Sequence, residues 1–188
     1  MKYAASFPPY PTESGKVRKG KMIVSLPPPD RLYYFDTNAL WKFYQDQPGD
    51  LNIRRLVSNV STPILISPLT MLEFIGVLMK YFRQGYLKHK QVRAVTRRLR
   101  RDADPTRSNR PFKVVTIPEN AFRSAEGALL QYGYQYNIQT NDSLHLAIVS
   151  RLNENDDVVL VTSDRSLQHT ARREHISCYD PETGNLEQ

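Results

Sequence analysis

The sequence predicts an α/β domain, a three-layer α/β/α sandwich in which helices cover both faces of a five-stranded parallel sheet. Two observations predict it. Five short segments are almost entirely apolar, which is typical of strands buried on both faces of a sheet. Segments with helical signals separate these strands, so that strand and helix alternate from residue 32 onward. The length of 188 residues accommodates one such domain and an appendage.

The first half of the predicted domain contains a strand, two helices, a second strand and two more helices. In order, they lie at residues 32–35, 39–44, 51–59, 63–67, 68–84 and 88–101. The turn Pro48-Gly49 separates the first two helices. Pro68 is favoured at the first position of a helix and Gly85 just after its end, so these residues bound the third helix.

The second half continues the alternation with three strands and three helices. In order, a strand, two helices, a strand, a short helix and a last strand lie at residues 112–117, 118–132, 140–152, 158–162, 166–173 and 176–179. Gly133 is expected to stop the first of these helices, and Thr140 or Asn141 to cap the second.

The predicted domain spans residues 31–180, between an arm at 1–30 and a tail at 181–188. The arm holds six of the 13 prolines and several lysines, which predicts an irregular, basic segment, with an extra edge strand at residues 22–26. The single cysteine, Cys178, excludes an internal disulfide framework and fits a reducing compartment. Because no apolar run reaches the roughly 20 residues that span a bilayer, we expect a cytoplasmic protein without a membrane partner.

Two of the predicted strands end near a carboxylate. Asp36 directly follows the first strand, and Asp164 follows the fourth strand by two positions. Ligands of open α/β sheets bind in the crevice beyond the carboxyl ends of the strands. If these two strands are neighbours, both carboxylates converge on that crevice. The simpler interpretation of Asp36 alone is a helix cap, because Asp is favoured at that position.

Two further acids lie near the starts of helices. Glu73 has apolar neighbours on every side of its helix, which predicts partial burial and therefore a partner, either an arginine or a cation. Asp142 lies in a first helical turn, where the helix dipole alone favours an acid. His145, one turn later, is expected to pack against the site or support it rather than to bind a metal.

These acids predict a metal site held by four oxygen ligands. The ligands would be Asp36, Glu73, Asp142 and Asp164. Hard oxygen donors without a cluster of His or Cys favour Mg²⁺ or Mn²⁺ over zinc. Without a cation, so many like charges in one place would repel one another strongly.

The segments around the four acids resemble the motifs of PIN-domain nucleases. The motifs are Phe35-Asp36-Thr37-Asn38, Leu72-Glu73, Thr140-Asn141-Asp142-Ser143-Leu144-His145-Leu146-Ala147 and Val161-Thr162-Ser163-Asp164. The resemblance covers roughly residues 32–179, and within the family it is greatest to the VapC-like toxins of toxin–antitoxin pairs. It implies the strand order 3-2-1-4-5 and makes Asn38 and Thr162 polar supports of the carboxylates. Ser166 stands where some relatives carry another acid, which disfavours a complete second metal site.

The resemblance implies a Mg²⁺- or Mn²⁺-dependent endoribonuclease that acts as a toxin, with RNA as substrate, a small antitoxin as partner and a homodimer as assembly. Asp36, Asp142 and Asp164 would bind the cation directly or through water, and Glu73 would bind it or orient the attacking water. Two alternatives remain at this point. A PIN-like module that binds RNA or protein without cleaving is disfavoured because all four acids are retained. A metal-dependent phosphatase with Asp36 as nucleophile usually needs a second Asp where this chain has Asn38.

A basic stretch suggests how an anionic substrate would be held. The net charge is +7, and residues 80–113 hold 12 lysines and arginines against only Asp102 and Asp104. On the predicted helix at 88–101, helical spacing places apolar residues on the inner side and basic residues on the outer side. The predicted RNA-binding residues are Arg93, Arg97, Arg100 and Arg101. The simpler interpretation is a solvated helix face.

Overall fold

The computed structural model describes residues 28–187, in which six strands alternate with seven helices. The strands are β1 (Leu32–Phe35), β2 (Ile64–Ile66), β3 (Phe112–Val114), β4 (Val158–Val161), β5 (Cys178–Asp180) and β6 (Asn185–Glu187). The helices are α1 (Thr37–Tyr44), α2 (Asp50–Asn59), α3 (Pro68–Arg83), α4 (His89–Asp102), α5 (Ala121–Tyr136), α6 (Thr140–Asn153) and α7 (Arg165–Arg173). The predicted edge strand at 22–26 and most of the predicted arm lie outside the described residues.

The sheet confirms the predicted order and adds one strand to it. The strand order is β3-β2-β1-β4-β5-β6, and the first five strands are parallel. β6 pairs antiparallel with β5, with Leu186 opposite Tyr179. The sequence does not predict this sixth strand, because its three residues include a single apolar side chain and so resemble a polar tail.

Alternation along the strands divides the core between the two faces of the sheet. In β1, Tyr33 and Phe35 pack with α1, α2, α3 and α4, whereas Tyr34 packs with α5, α6 and α7. Successive side chains of a strand point to opposite faces, so a strand buried on both faces must be apolar throughout. The sheet and the helices packed on its two faces are the expected three layers.

Two predicted helix boundaries in the second half are wrong. Gly133 does not stop α5, which continues to Tyr136 and ends at Asn137 in the left-handed conformation (φ 53°). An added Cβ at Gly133 would meet no atom within 4 Å, so this glycine serves neither a turn nor a close contact. The cap of α6 is Gln139 rather than Thr140 or Asn141.

The turn at residues 181–184, which we call the C-terminal turn, contacts the loop between α1 and α2. An added Cβ at Gly49, whose φ is +86°, would lie 2.7 Å from the carbonyl oxygen of Pro181. Asn52 donates a hydrogen bond to the same carbonyl at 2.9 Å. The Lys42 ammonium is buried and lies 2.6 Å from Oε1 of Glu182. The end of the chain is therefore part of the packing of the first two helices.

Within residues 28–187, every helix falls short of the length and hydrophobicity that a membrane-spanning segment requires.

Candidate functional site: an acidic cleft at the carboxyl ends of β1 and β4

β1 and β4 are neighbours in the sheet, so Asp36 and Asp164 lie at the same edge. Asp36 caps α1 through Oδ1, which accepts the Ala39 N–H at 2.7 Å. Its Oδ2 accepts the Thr162 hydroxyl at 2.5 Å, and Thr162 Oγ1 in turn accepts the Asp164 N–H at 3.0 Å. Asp164 caps α7 by accepting the Leu167 N–H at 2.9 Å. The capping interpretation of Asp36 is therefore correct, and the same geometry brings the two acids together.

Glu73 reaches this edge from the second turn of α3. Its Oε2 accepts hydrogen bonds from the Thr37 hydroxyl at 2.5 Å and from His145 Nε2 at 2.8 Å. Its Oε1 accepts from Asn141 Nδ2 at 2.6 Å. Among the described residues the partner is not the arginine that was one expectation but a histidine, with a hydroxyl and an amide. Burial opposes the ionisation of Glu73, but these three hydrogen bonds outweigh it and hold its pKa below the usual value.

Asp142 lies at the third position of α6, as expected, and its Oδ2 accepts the Gln139 N–H at 2.8 Å. Among the described residues, no hydrogen-bond donor contacts its Oδ1. Burial raises the pKa of Asp142, and the negative charges of Asp164 and Glu73 raise it further. Like charges shift a pKa in this way only when they lie close together. Asp142 thus lies in the electrostatic field of two other acids of the cleft.

Asp36 is the most buried of the four carboxylates, with 5% of its surface exposed. Burial raises its pKa to about 6, although the His145 ring and the hydrogen bonds from Ala39 and Thr162 act in the opposite direction. The charge of Asp142 adds to the increase. The four acids therefore form one interacting group, which we call the acidic cleft: Asp36, Glu73, Asp142 and Asp164.

The chemistry of the acidic cleft fits a divalent cation, although its side chains are not drawn together around one. Across residues 28–187, no three His, Cys, Asp or Glu side chains are grouped closely enough to hold a metal ion as they stand. The donors are hard oxygens, as Mg²⁺ and Mn²⁺ prefer. Asp142 and Asp164 each keep one oxygen without a described partner, whereas Oε2 of Glu73 already accepts two hydrogen bonds. The oxygens most open to a cation are therefore on Asp142 and Asp164, because each oxygen of Asp36 accepts one hydrogen bond, as Oε1 of Glu73 does.

The burial of Asp36 makes the stability of the metal-free protein depend on pH. Its folded pKa of about 6 lies above the value of 3.8 for an unperturbed Asp. The folded state therefore binds this proton more tightly, and the resulting stabilisation is lost as the pH rises through the folded pKa. We expect a loss of about 1 kcal/mol between roughly pH 5 and pH 7 in EDTA. Urea unfolding at the two pH values measures it.

Asp36→Asn is the matched control, because asparagine still caps a helix but does not titrate. We expect the variant to lose less stability over the same interval than the wild type. An equal loss in both proteins would show that Asp36 titrates normally.

Some polar contacts of the cleft differ from those expected. Thr162 makes the expected hydrogen bond to Asp36. Asn38 has an exposed side chain and, among the described residues, no hydrogen bond to a carboxylate, so its supporting role stays a prediction. Its neighbour Thr37 contacts Glu73 instead, and Asn141, predicted as a possible cap of α6, also donates to Glu73. The motif spacing predicts the acids, but it does not show which polar neighbour contacts them.

The basic helix α4 has the two sides that its sequence predicts. Val95 and Leu99 are buried in the core, and Val92 packs against it. The predicted RNA-binding arginines 93, 97, 100 and 101 are exposed. Two of them, Arg93 and Arg97, line a shallow cleft with the first turn of the helix. Arg101 lies 3.4 Å from the Asp102 carboxylate, so its charge is partly offset.

The sequence and the fold were compared with those of known proteins. A family model described as PIN domain matches residues 33–173. A comparison with curated proteins found no match.

Solved structures share the fold at low sequence identity. FitAcB from Neisseria gonorrhoeae superposes with a TM-score of 0.58 at 16% identity, covering 80% of this chain and 98% of that one. The structure of FitAB bound to the IR36 DNA fragment superposes with a TM-score of 0.56 at 16% identity, covering 84% of this chain and 99% of that one. PAE2754 from Pyrobaculum aerophilum gives 0.51 at 21% identity, covering 82% and 93%. At such identities the similarity is one of fold.

Proposed function

Because the chain belongs to the PIN-domain family, whose members are generally nucleases, we propose that it hydrolyses RNA phosphodiester bonds with Mg²⁺ or Mn²⁺. The single observation that supports this most strongly is the placement of Asp36 and Asp164 at the same sheet edge, where Thr162 bonds to both residues. A catalytic role explains why acids that repel one another are held together at this edge.

The aspartates and the glutamate of the cleft would have different roles. Asp36, Asp142 and Asp164 would hold the cation, which lowers the pKa of a bound water and offsets charge that develops on the phosphate. Glu73 has Oε2 committed to two donors, so it would orient the attacking water through Oε1 rather than hold the cation. Thr162 would fix the Asp36 carboxylate by its hydrogen bond.

We further propose that the enzyme is a cytoplasmic, homodimeric toxin of a type II toxin–antitoxin pair, restrained by a small antitoxin protein. The similarity of its four motifs to those of VapC-like toxins supports this. Expression in a bacterial host provides the test: the wild type should arrest growth, whereas Asp36→Asn should not. Asp46→Asn, which removes an exposed carboxylate paired with Arg54, is the control and should behave as wild type.

Growth arrest by Asp36→Asn as strong as that by the wild type would contradict a catalytic toxin. It would favour the alternative of a PIN-like module that binds RNA or protein without cleaving. Purification from the native organism addresses the partner, because a toxin should be recovered with its antitoxin. Repeated recovery of an active, unbound enzyme would contradict this role.

The basic side of α4 is proposed to bind the phosphates of the substrate. Arg97 and Arg100 are exposed on this helix, and phosphate contacts bind all sequences alike. We expect the double variant Arg97→Ala/Arg100→Ala to weaken binding of single-stranded RNA similarly across sequences. Each lost contact should flatten the plot of log affinity against log salt by about 0.7.

The matched control removes two arginines elsewhere, at Arg123 in α5 and Arg151 in α6, and should leave the salt slope unchanged. An unchanged slope for the α4 variant would mean that this side of the helix is solvated or binds another protein.

A further inference from the structure

A chain of buried hydrogen bonds runs from the centre of the sheet to the acidic cleft. The Tyr34 hydroxyl lies 2.9 Å from Ser67 Oγ, 3.3 Å from Thr70 Oγ1 and 2.8 Å from His145 Nδ1. On its other side, His145 Nε2 lies 2.8 Å from Oε2 of Glu73. The chain thus connects β1, the cap of α3 and α6 to one carboxylate.

The partners of the imidazole determine the direction of the last hydrogen bond. Oε2 of ionised Glu73 can only accept, so Nε2 of His145 must carry the proton. Nδ1 faces the Tyr34 hydroxyl, which accepts from Nδ1 while it donates to Ser67 Oγ, or donates to Nδ1 in place of Ser67. The ring is therefore held in one orientation whether it is neutral or charged.

Packing alone does not account for these polar groups. Tyr34 is fully buried and His145 is 2% exposed, and α6 is apolar on both sides of the histidine, at Leu144 and Leu146. Apolar side chains of similar size would avoid the cost of removing polar groups from water. The hydrogen-bond chain ends at Glu73, in the acidic cleft, so a function of the cleft would explain why these polar groups are buried.

The anchoring of Glu73 is asymmetric. Oε2 accepts two hydrogen bonds, from His145 and Thr37, whereas Oε1 accepts one, from Asn141. A carboxylate oxygen offers about two acceptor sites. Oε2 is therefore saturated, and Oε1 keeps one acceptor site for a ligand in the cleft.

We propose that His145 is a positioning residue, which Tyr34 orients from the protein interior and which fixes Oε2 of Glu73 so that Oε1 faces the substrate side of the cleft. The proposal rests on the proposed nuclease function, which it refines by assigning how one carboxylate is held.

Nitrogen-resolved proton NMR of the metal-free protein tests the contact without requiring activity. We expect a slowly exchanging Nε2–H signal, assigned to His145 by its loss in His145→Gln. The signal should shift or broaden in Glu73→Ala and in Tyr34→Phe, which keeps the aromatic ring and its packing. Tyr132→Phe, which removes the hydroxyl of another tyrosine, bonded to Glu174, should leave it unchanged. A signal indifferent to Glu73→Ala would overturn the proposal.

A double-mutant cycle separates positioning from general structural support. Losing the partner of a site carboxylate typically costs 10–100-fold, and we expect His145→Leu to lower the rate of RNA cleavage by roughly that factor. His145→Gln, which keeps a donor, should recover most of the loss. In a Glu73→Ala background, His145→Leu should have no further effect, since coupled residues are not additive.

If the double variant instead loses cleavage rate by the product of the two single fold-decreases, His145 acts independently of Glu73 and the proposal is overturned. The melting temperature is the control for a purely structural role. A loss of stability caused by His145→Leu should persist in the Glu73→Ala background, whereas its loss of cleavage rate should not. If no variant and not even the wild type cleaves RNA, the proposed function fails, while the NMR experiment still decides whether His145 anchors Glu73.

Discussion

Asp142→Asn is expected to lower the rate of RNA cleavage by roughly 10³-fold or more, since a group that stabilises transition-state charge is lost. The change removes one negative charge and little else. Asparagine can still accept the Gln139 N–H that Asp142 accepts, so the start of α6 should remain folded. The measurement is single-turnover cleavage of single-stranded RNA with Mg²⁺ or Mn²⁺, repeated in EDTA.

The stability of the same variant provides a second, independent readout. Asp142 is repelled by Asp164 and Glu73, so its neutralisation should leave the metal-free protein as stable as the wild type or more so. Asp156→Asn, at an exposed acid before β4, is the control and should retain activity. Full cleavage by the wild type in EDTA would exclude the proposed metal-dependent reaction.

Gly49→Ala is expected to destabilise the protein by about 2–5 kcal/mol, which combines a strained backbone with a steric clash. With φ at +86°, the position disfavours any side chain, and the new Cβ would lie 2.7 Å from the carbonyl oxygen of Pro181. The contacting atom is backbone and cannot rotate away. Urea unfolding, with the midpoint and slope compared between variants, measures the loss.

Gly85→Ala separates the two contributions. Gly85 also has a positive φ, of +79°, but an added Cβ there would meet no atom within 4 Å. We therefore expect this variant to lose only the roughly 1 kcal/mol of left-handed strain. Equal losses at the two glycines would show that the C-terminal turn moves away from Gly49 without cost.

The parts of the fold that follow from hydrophobic pattern could be predicted from the sequence. The runs at β1 and β4 are apolar throughout because both faces of the sheet are covered, and a continuous run of this length is a strong strand signal. β6 has no such signal, because an edge strand needs only one buried face. At Gly133 the sequence predicts a helix end that the structure does not have. Glycine is tolerated inside a helix that tertiary contacts stabilise.

That Asp36 and Asp164 lie at the same sheet edge could also be predicted, but the hydrogen-bond partners of the acids could not. Asp36 and Asp164 follow strands, so topology alone brings them together. The hydrogen bonds of Glu73 to Thr37, Asn141 and His145 depend on how α1 and α6 approach α3. Such contacts between helices distant in sequence leave no periodic signal in any one of them.

The central position of β1 in the sheet has a consequence for synthesis of the protein in the cell. β1 pairs with β4, and the two acids at the ends of these strands, Asp36 and Asp164, are 164 − 36 = 128 positions apart. Contacts at such separation form only after the intervening chain is available, and a nascent chain is released by the ribosome from its N-terminus. Most of the chain is therefore translated before the acidic cleft can assemble. The acidic cleft can therefore assemble only after the residues of β4 and Asp164 have left the ribosome.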